Sequence, residues 1–222
     1  MPAFALLFFL TLLVLSPLLF GGLMLASLEK LHLGPSVALT LVVAMFLGGL
    51  VNIPIVRLRR ERQVQNNPLA VYGLADFWPQ FARHAQQTII AVNLGGCIIP
   101  VALCAYEITY LATLAPRALA LGMFGCLVNI GICYSVAQPV KGIGIAMPAF
   151  LSPFAAAVLA LLLVPEAAPP VAFVIGVTGP LIGADLLHLK EIEATDAGVA
   201  SIGGAGTFDG IVLSGIIAAY LA

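Results

Sequence analysis

"ALLFFLTLLVL", residues 5–15, is apolar in every direction and interrupted only by Thr11. A strand crossing an outer membrane alternates apolar with polar side chains. A run greasy on all sides instead reads as a helix immersed in hydrocarbon or in a core. Working outward, this run extends over about 3–28, and further apolar runs cover about 34–56, 86–112, 117–137, 148–165, 169–189 and 199–222. Each is close to the roughly 20 residues that span a bilayer. Apolar residues make up 62% of the chain and charged residues 9%, with a mean hydropathy of +1.13, whereas a soluble domain is charged at about one position in four. The expectation is an all-α fold, a polytopic transmembrane helix bundle of about seven spans, forming a single integral membrane domain over 1–222. The first run is longer than a signal-peptide core, lacks a basic leader and shows no small-x-small cleavage site before Glu29, so it is read as helix one.

Nine basic residues against ten acidic ones leave a formal net charge of -1, without the basic patch of a nucleic-acid partner. The expected partner is the lipid bilayer. Counting Lys and Arg by connection puts Arg57, Arg59, Arg60, Arg62, Arg83, Lys141 and Lys190 on one side, with Lys30 and Arg117 on the other. Cytoplasmic loops are the basic ones. The N-terminus is therefore expected inside, the C-terminus outside, and the 57–85 connection in the cytoplasm, with Phe77 and Trp78 of "DFW" suited to the headgroup interface.

Polar residues gather at one depth. Asn52, Asn93, Gln138, Asp185, His188 and Asp209 all fall in the expected cytoplasmic half, while Glu107 and Glu166 count out as ordinary charges near the outer surface. A charge deep in hydrocarbon costs at least about 2.5–3.5 kcal/mol, so Asp185 and Asp209 are the leading candidates for chemistry. For the Asn and Gln side chains the plainer reading is interhelical hydrogen bonding.

Gly and Pro surround both carboxylates. In "TGPLIGADLLHL" Pro180 removes a backbone donor and predicts a disrupted turn before Asp185. In "GVASIGGAGTFDG" the glycines, Gly204 and Gly206 among them, predict either close backbone contact or unwinding before Asp209. "SVAQPVKGIGIAMPAFLSP", residues 135–153, is too rich in Pro and Gly for a regular helix and too apolar for an aqueous loop. A re-entrant segment at 138–147 is expected, with Lys141 either snorkelling or serving the Asp pair as a counter-ion.

Other chemistries have little to stand on. Cys97/Cys104 and Cys126/Cys133 are seven-residue repeats on helix faces without CxxC or flanking His, so they read as small packers; no metal and no cofactor is expected. "GIGIAMP" and "GGAG" lack the Lys-Ser/Thr of a phosphate loop. "GGLVNIPI" at 48–55 aligns with "GCLVNIGI" at 125–132, either as a parallel duplication or as chance similarity between apolar strings.

Two membrane Asp residues on adjacent helices, "GADLLHL" with Asp185 and "GAGTFDG" with Asp209, resemble the intramembrane aspartyl proteases of the presenilin and prepilin peptidase type, and "MPAF" loosely resembles that family's proline-alanine-leucine loop. The second motif departs from the family's, because Thr207 and Phe208 intervene between Gly206 and Asp209, and "MPAF" precedes both Asp residues rather than following them. The whole chain also resembles an uncharacterised family of prokaryotic polytopic membrane proteins, which implies a prokaryotic inner, or cytoplasmic, membrane and no particular activity. The protease resemblance implies a catalytic pair, Asp185 and Asp209, acting on a transmembrane-helix substrate; the depth map and the Gly- and Pro-rich stretches add Asn52, Asn93, Gln138, Lys141, His188, Gly204 and Gly206 as substrate-binding or supporting residues. Two other classes fit the same residues: a proton- or cation-coupled transporter or channel binding its ion at the two Asp residues, and a non-catalytic membrane scaffold.

Overall fold

The computed structural model describes residues 18–60, 86–140, 144–192, 199–204 and 206–222. The opening stretch 5–15, most of the 57–85 connection and Lys141 lie outside these residues. Helix α1 covers Leu18–Glu29 and α2 covers Pro35–Gly48, followed by strand β1 (Asn52–Arg60) and strand β2 (Gln86–Asn93). A π-helical turn, Leu94–Ile98, then leads into α3 (Ile99–Leu114), and α4 follows at Pro116–Val136. Next come β3 (Gln138–Val140), β4 (Gly144–Ala146), α5 (Leu151–Leu163), a 3-10 turn at Pro165–Ala167 and α6 (Ala168–Thr178). A second π-helical stretch, Gly179–Leu186, continues α6, before β5 (Val199–Ile202), a 3-10 turn at Gly206–Phe208 and α7 (Gly210–Leu221).

Three helical stretches among the described residues are long and apolar enough to cross a membrane: Leu94–Leu114, Pro116–Val136 and Pro165–Leu186. The remaining apolar helices are shorter than the roughly 20 residues a full crossing takes. The runs at 34–56, 86–112 and 199–222, expected as continuous helices, each divide into a helix and a strand. Their strand portions are rich in β-branched residues, as in "NIPIV" and "QQTIIAV", and that composition favours a pleated conformation once neighbouring backbone is in reach. The all-α expectation is corrected accordingly. The fold is a helical bundle with a small sheet at one end.

That sheet has the order β1-β2-β5, antiparallel between β1 and β2 and parallel between β2 and β5. Pro54 has no N–H to give to a ladder, and it sits on an outer strand beside a register shift between Pro54 and Val56. The aligned strings 48–55 and 125–132 fold differently, the first as a helix end running into β1 and the second inside α4. Pro54 lies in the first string, where the second has Gly131. No structural duplication follows from the alignment.

The 138–147 stretch contains an antiparallel hairpin of β3 and β4 rather than a helix, with Gln138 opposite Ala146 and Val140 opposite Gly144. Strand β4 packs on the π-helical end of α6.

α6 is the hub. Of the membrane-length windows, 72% of its residues are buried, against 33% and 28% for the windows containing α3 and α4, and α4, α5 and α7 all pack on it. Its buried face contributes Val171, Phe173, Ile175 and Val177 to a core completed by Met24, Leu28, Ile211 and Ile216. Polar bridges run through this core. The Asn129 amide nitrogen donates to Ser152 Oγ at 3.0 Å and to the Ile175 carbonyl at 2.9 Å, and the Ser152 and Ser214 hydroxyls lie 2.7 Å apart, so α4, α5, α6 and α7 share one network. At the end opposite the sheet, Lys30 donates to the Tyr220 carbonyl at 2.7 Å and joins α1 to α7.

Candidate functional site

α6 runs toward the sheet and α7 starts there, so Asp185 and Asp209 are brought to the same end of two packed, antiparallel helices. Each is placed by a local irregularity. Pro180 has no N–H for an α-helical ladder, and from Gly179 onward the helix widens to π-type bonding, closing with Leu187 N–H on the Ile182 carbonyl at 3.0 Å. Asp185 stands in this widened turn.

Of the expectations for the Gly-rich run, the unwound one holds: the backbone before Asp209 leaves the helix, and Asp209 stands at the start of α7 rather than inside it. It is the N-cap of α7, and its Oδ1 accepts the Ile211 N–H at 3.0 Å. The chain reaches it through a turn in which Gly204 N–H bonds to the Ser201 carbonyl at 2.9 Å, followed by the short 3-10 turn. Gly203 and Gly206 have φ of 71° and 64°, the left-handed region that glycine tolerates. The same loop crosses the π-turn before α3 at backbone distance. A Cβ on Gly203 would come within 2.6 Å of the Gly96 carbonyl carbon, and one on Gly96 would overlap the Gly203 carbonyl oxygen.

Two cavities meet at the carboxylates. One, of about 420 Å³, is lined by Asp185 and Asp209 together with Asn52, Gly144, Ser201 and Gly204, and by the rest of β5. The other, of about 250 Å³, is lined by the same two Asp residues with Met147, Ala149, Pro180 and Phe208. Ile145 of β4 is common to both. Each carboxylate lies within the electrostatic field of the other, and the Cys97 thiol lies within the field of both. Among the described residues β5 pairs with β2 along one edge, and its residues border the larger cavity.

The supporting residues separate into those at the cavities and those behind them. Asn52 and Gly204 line the larger cavity. Asn52 Oδ1 accepts from Ser201 Oγ at 2.6 Å and from the Asn93 amide nitrogen at 3.0 Å, tying β1 to β2 and β5. Asn93 is fully buried and does not line either cavity. Its amide nitrogen also donates to the Gly49 carbonyl at 2.8 Å, while its oxygen accepts the Gly96 N–H at 2.7 Å and caps the helix that follows. His188 is likewise a fastening residue, with Nδ1 3.0 Å from the Gly183 carbonyl and its ring 4.8 Å from that of Tyr134. Gly206 belongs to the crossing described above. Gln138 is exposed on the hairpin and borders neither cavity. Lys141 lies outside the described residues.

Three features were not read from the sequence. Ser201 gave no signal beyond its place in a small-residue string. Cys97, read as a packer, is buried but reaches the carboxylates' field. Glu107, read as an interfacial charge, is completely buried, and neither carboxyl oxygen has a hydrogen-bond partner among the described residues. Counting its distance from the end of the apolar run missed the buried face. Leu103, Cys104 and Leu111 are buried with it, whereas the adjacent Tyr106 is exposed.

Neither the curated proteins nor the solved structures contain a match to this chain. Residues 46–221, which include both Asp residues, both cavities and every strand, match one family across most of the chain, and the protein belongs to that family, described as "Protein of unknown function (DUF1614)".

Proposed function

We propose that the protein is an intramembrane aspartyl peptidase in which Asp185 and Asp209 hydrolyse a peptide bond of a membrane-embedded substrate. The observation that carries this reading is the joint position of the two carboxylates at the meeting of two cavities. The reading requires the two carboxyls to come within reach of a shared proton, since two carboxyl groups that close in a low dielectric do not both ionise. The protonated member donates a hydrogen bond to the scissile carbonyl. The ionised member takes a proton from water, whose oxygen bonds to the carbonyl carbon, and that proton then passes to the leaving nitrogen as the C–N bond breaks. The Ile211 N–H on Asp209 Oδ1 fixes that carboxylate's rotation. Residues Met147 and Ala149 of "MPAF" border the smaller cavity with both carboxylates, which supports the resemblance drawn from the sequence.

The meeting of cavities also favours a second reading, a proton- or cation-coupled transporter with the Asp pair as its barrier. One set of variants separates the two. Purified protein is reconstituted in liposomes with a panel of transmembrane-helix substrates, and Asp185→Asn and Asp209→Asn are each expected to abolish cleavage while leaving the folded fraction unchanged. Absence of wild-type cleavage, with pH- or cation-driven flux that both variants lose, would replace the peptidase with the transporter.

A further inference from the structure

We propose that Glu107 is a proton-binding carboxyl inside the bundle, a site separate from the Asp185–Asp209 pair and independent of the reading given to that pair. Glu107 lies on the buried face of α3 with Leu103, Cys104 and Leu111, has no exposed surface, and has no hydrogen-bond partner for either oxygen among the described residues. A carboxylate there would be an unpaired charge in an apolar medium, the arrangement proteins avoid by pairing or by neutralisation. Pairing is not offered.

Among the described residues the titratable groups on the elements packed against α3 are few: His32, in the turn between α1 and α2, stacks on Tyr110 of α3 with ring centroids 5.1 Å apart. On α4 they are Arg117 and Tyr134, both exposed, with the buried Cys126 and Cys133; α7 brings Tyr220, also exposed, and the preceding π-turn brings Cys97. The Cys104 thiol lies within the electrostatic field of both Glu107 and the Cys126 thiol. Neither thiol supplies a positive charge. A metal cation would need several ligands together, and among the described residues no group of three or more His, Cys, Asp or Glu is arranged to hold one. The ligand that fits one carboxyl in an apolar pocket is a proton.

The position along the helix gives the site its interest. Glu107 and Cys97 stand ten positions apart on the 94–114 stretch, about 15 Å at the helical rise. The Cys97 thiol lies within the field of both Asp residues. The 94–114 stretch therefore carries protonatable groups from the Asp pair into the bundle, with Cys104 between them.

Infrared spectroscopy of the full chain in lipid bilayers tests this, with Asp185→Asn/Asp209→Asn as the background so that the pair contributes no carboxylic-acid signal. Near neutral pH the C=O stretch of a protonated carboxyl is expected to persist in that double variant and to be lost when Glu107→Gln is added. Glu107→Asp, which keeps the group with a shorter stem, is expected to move the band rather than remove it, and it serves as the deciding variant if the glutamine form does not fold. A carboxylic-acid region unchanged by either substitution would overturn the proposal. Cleavage or flux assays on the Asp pair do not enter this readout, so failure of the proposed function leaves it standing.

Discussion

Asp209 has one observed role, the cap of α7, and one proposed role, in the carboxylate pair, and its neighbours show how to separate them. As N-cap it satisfies the Ile211 N–H at the start of α7, a role that Asn fills about as well and Ala does not. As a member of the carboxylate pair it needs an ionisable group, which Asn lacks. Asp209→Asn is therefore expected to keep stability within a few tenths of a kcal/mol, and Asp209→Ala to lower it by about 0.5–2 kcal/mol, measured as reversible unfolding in mixed micelles. Activity at the pair should be absent in both. If the asparagine form retains activity, Asp209 is a cap alone. The cap itself was legible: an Asp immediately before "GIVLSGII" is a helix-start signal. The same holds for Asn93 before "LGGC". In both cases the apolar run continues through the cap, so the run's outline concealed the boundary.

At the scale of elements, the site depends on two irregular segments that touch through backbone. The π-turn Leu94–Ile98 and the loop before α7 cross at Gly96 and Gly203. A methyl on Gly96 would overlap the Gly203 carbonyl oxygen and stand 2.9 Å from that of Gly206, neither of which can rotate aside. Gly96→Ala is expected to destabilise by about 1–3 kcal/mol, as overpacking does, and to displace the loop that delivers Asp209, with loss of activity. Gly131→Ala on α4 is the control. Nothing lies within 4 Å of its added Cβ, and replacing a helical glycine there should be neutral or stabilising by up to about 1 kcal/mol. Unfolding of the two variants under one set of detergent conditions checks the contrast; equal stability would mean that the crossing yields easily.

At the scale of the whole molecule, what could be read in advance was the long apolar helices and the end at which polarity collects. The stretch at 116–136 matches the run outlined at 117–137 almost residue for residue, because about twenty predominantly apolar residues leave a helix as the solution that satisfies its own backbone. The sheet was not legible. Its strands are four to nine residues long and lie inside or beside apolar runs, where strand and helix composition overlap, and their pairing joins segments far apart in sequence. Orientation rests on charge alone. Arg57 in β1 and Lys190 after α6 stand at the sheet end, while Lys30 and Arg117 mark the opposite one, and from the basic-inside rule we propose that the sheet and the Asp pair face the cytoplasm. All four native cysteines are buried, which leaves a membrane-impermeant maleimide little to react with in the parent chain. Gln138 at the sheet end and Arg117 at the other are both exposed. In intact cells Arg117→Cys is expected to label from outside and Gln138→Cys only after permeabilisation. The reverse pattern would invert the orientation and move both carboxylates to the outer face, where a substrate would have to reach them from the opposite leaflet.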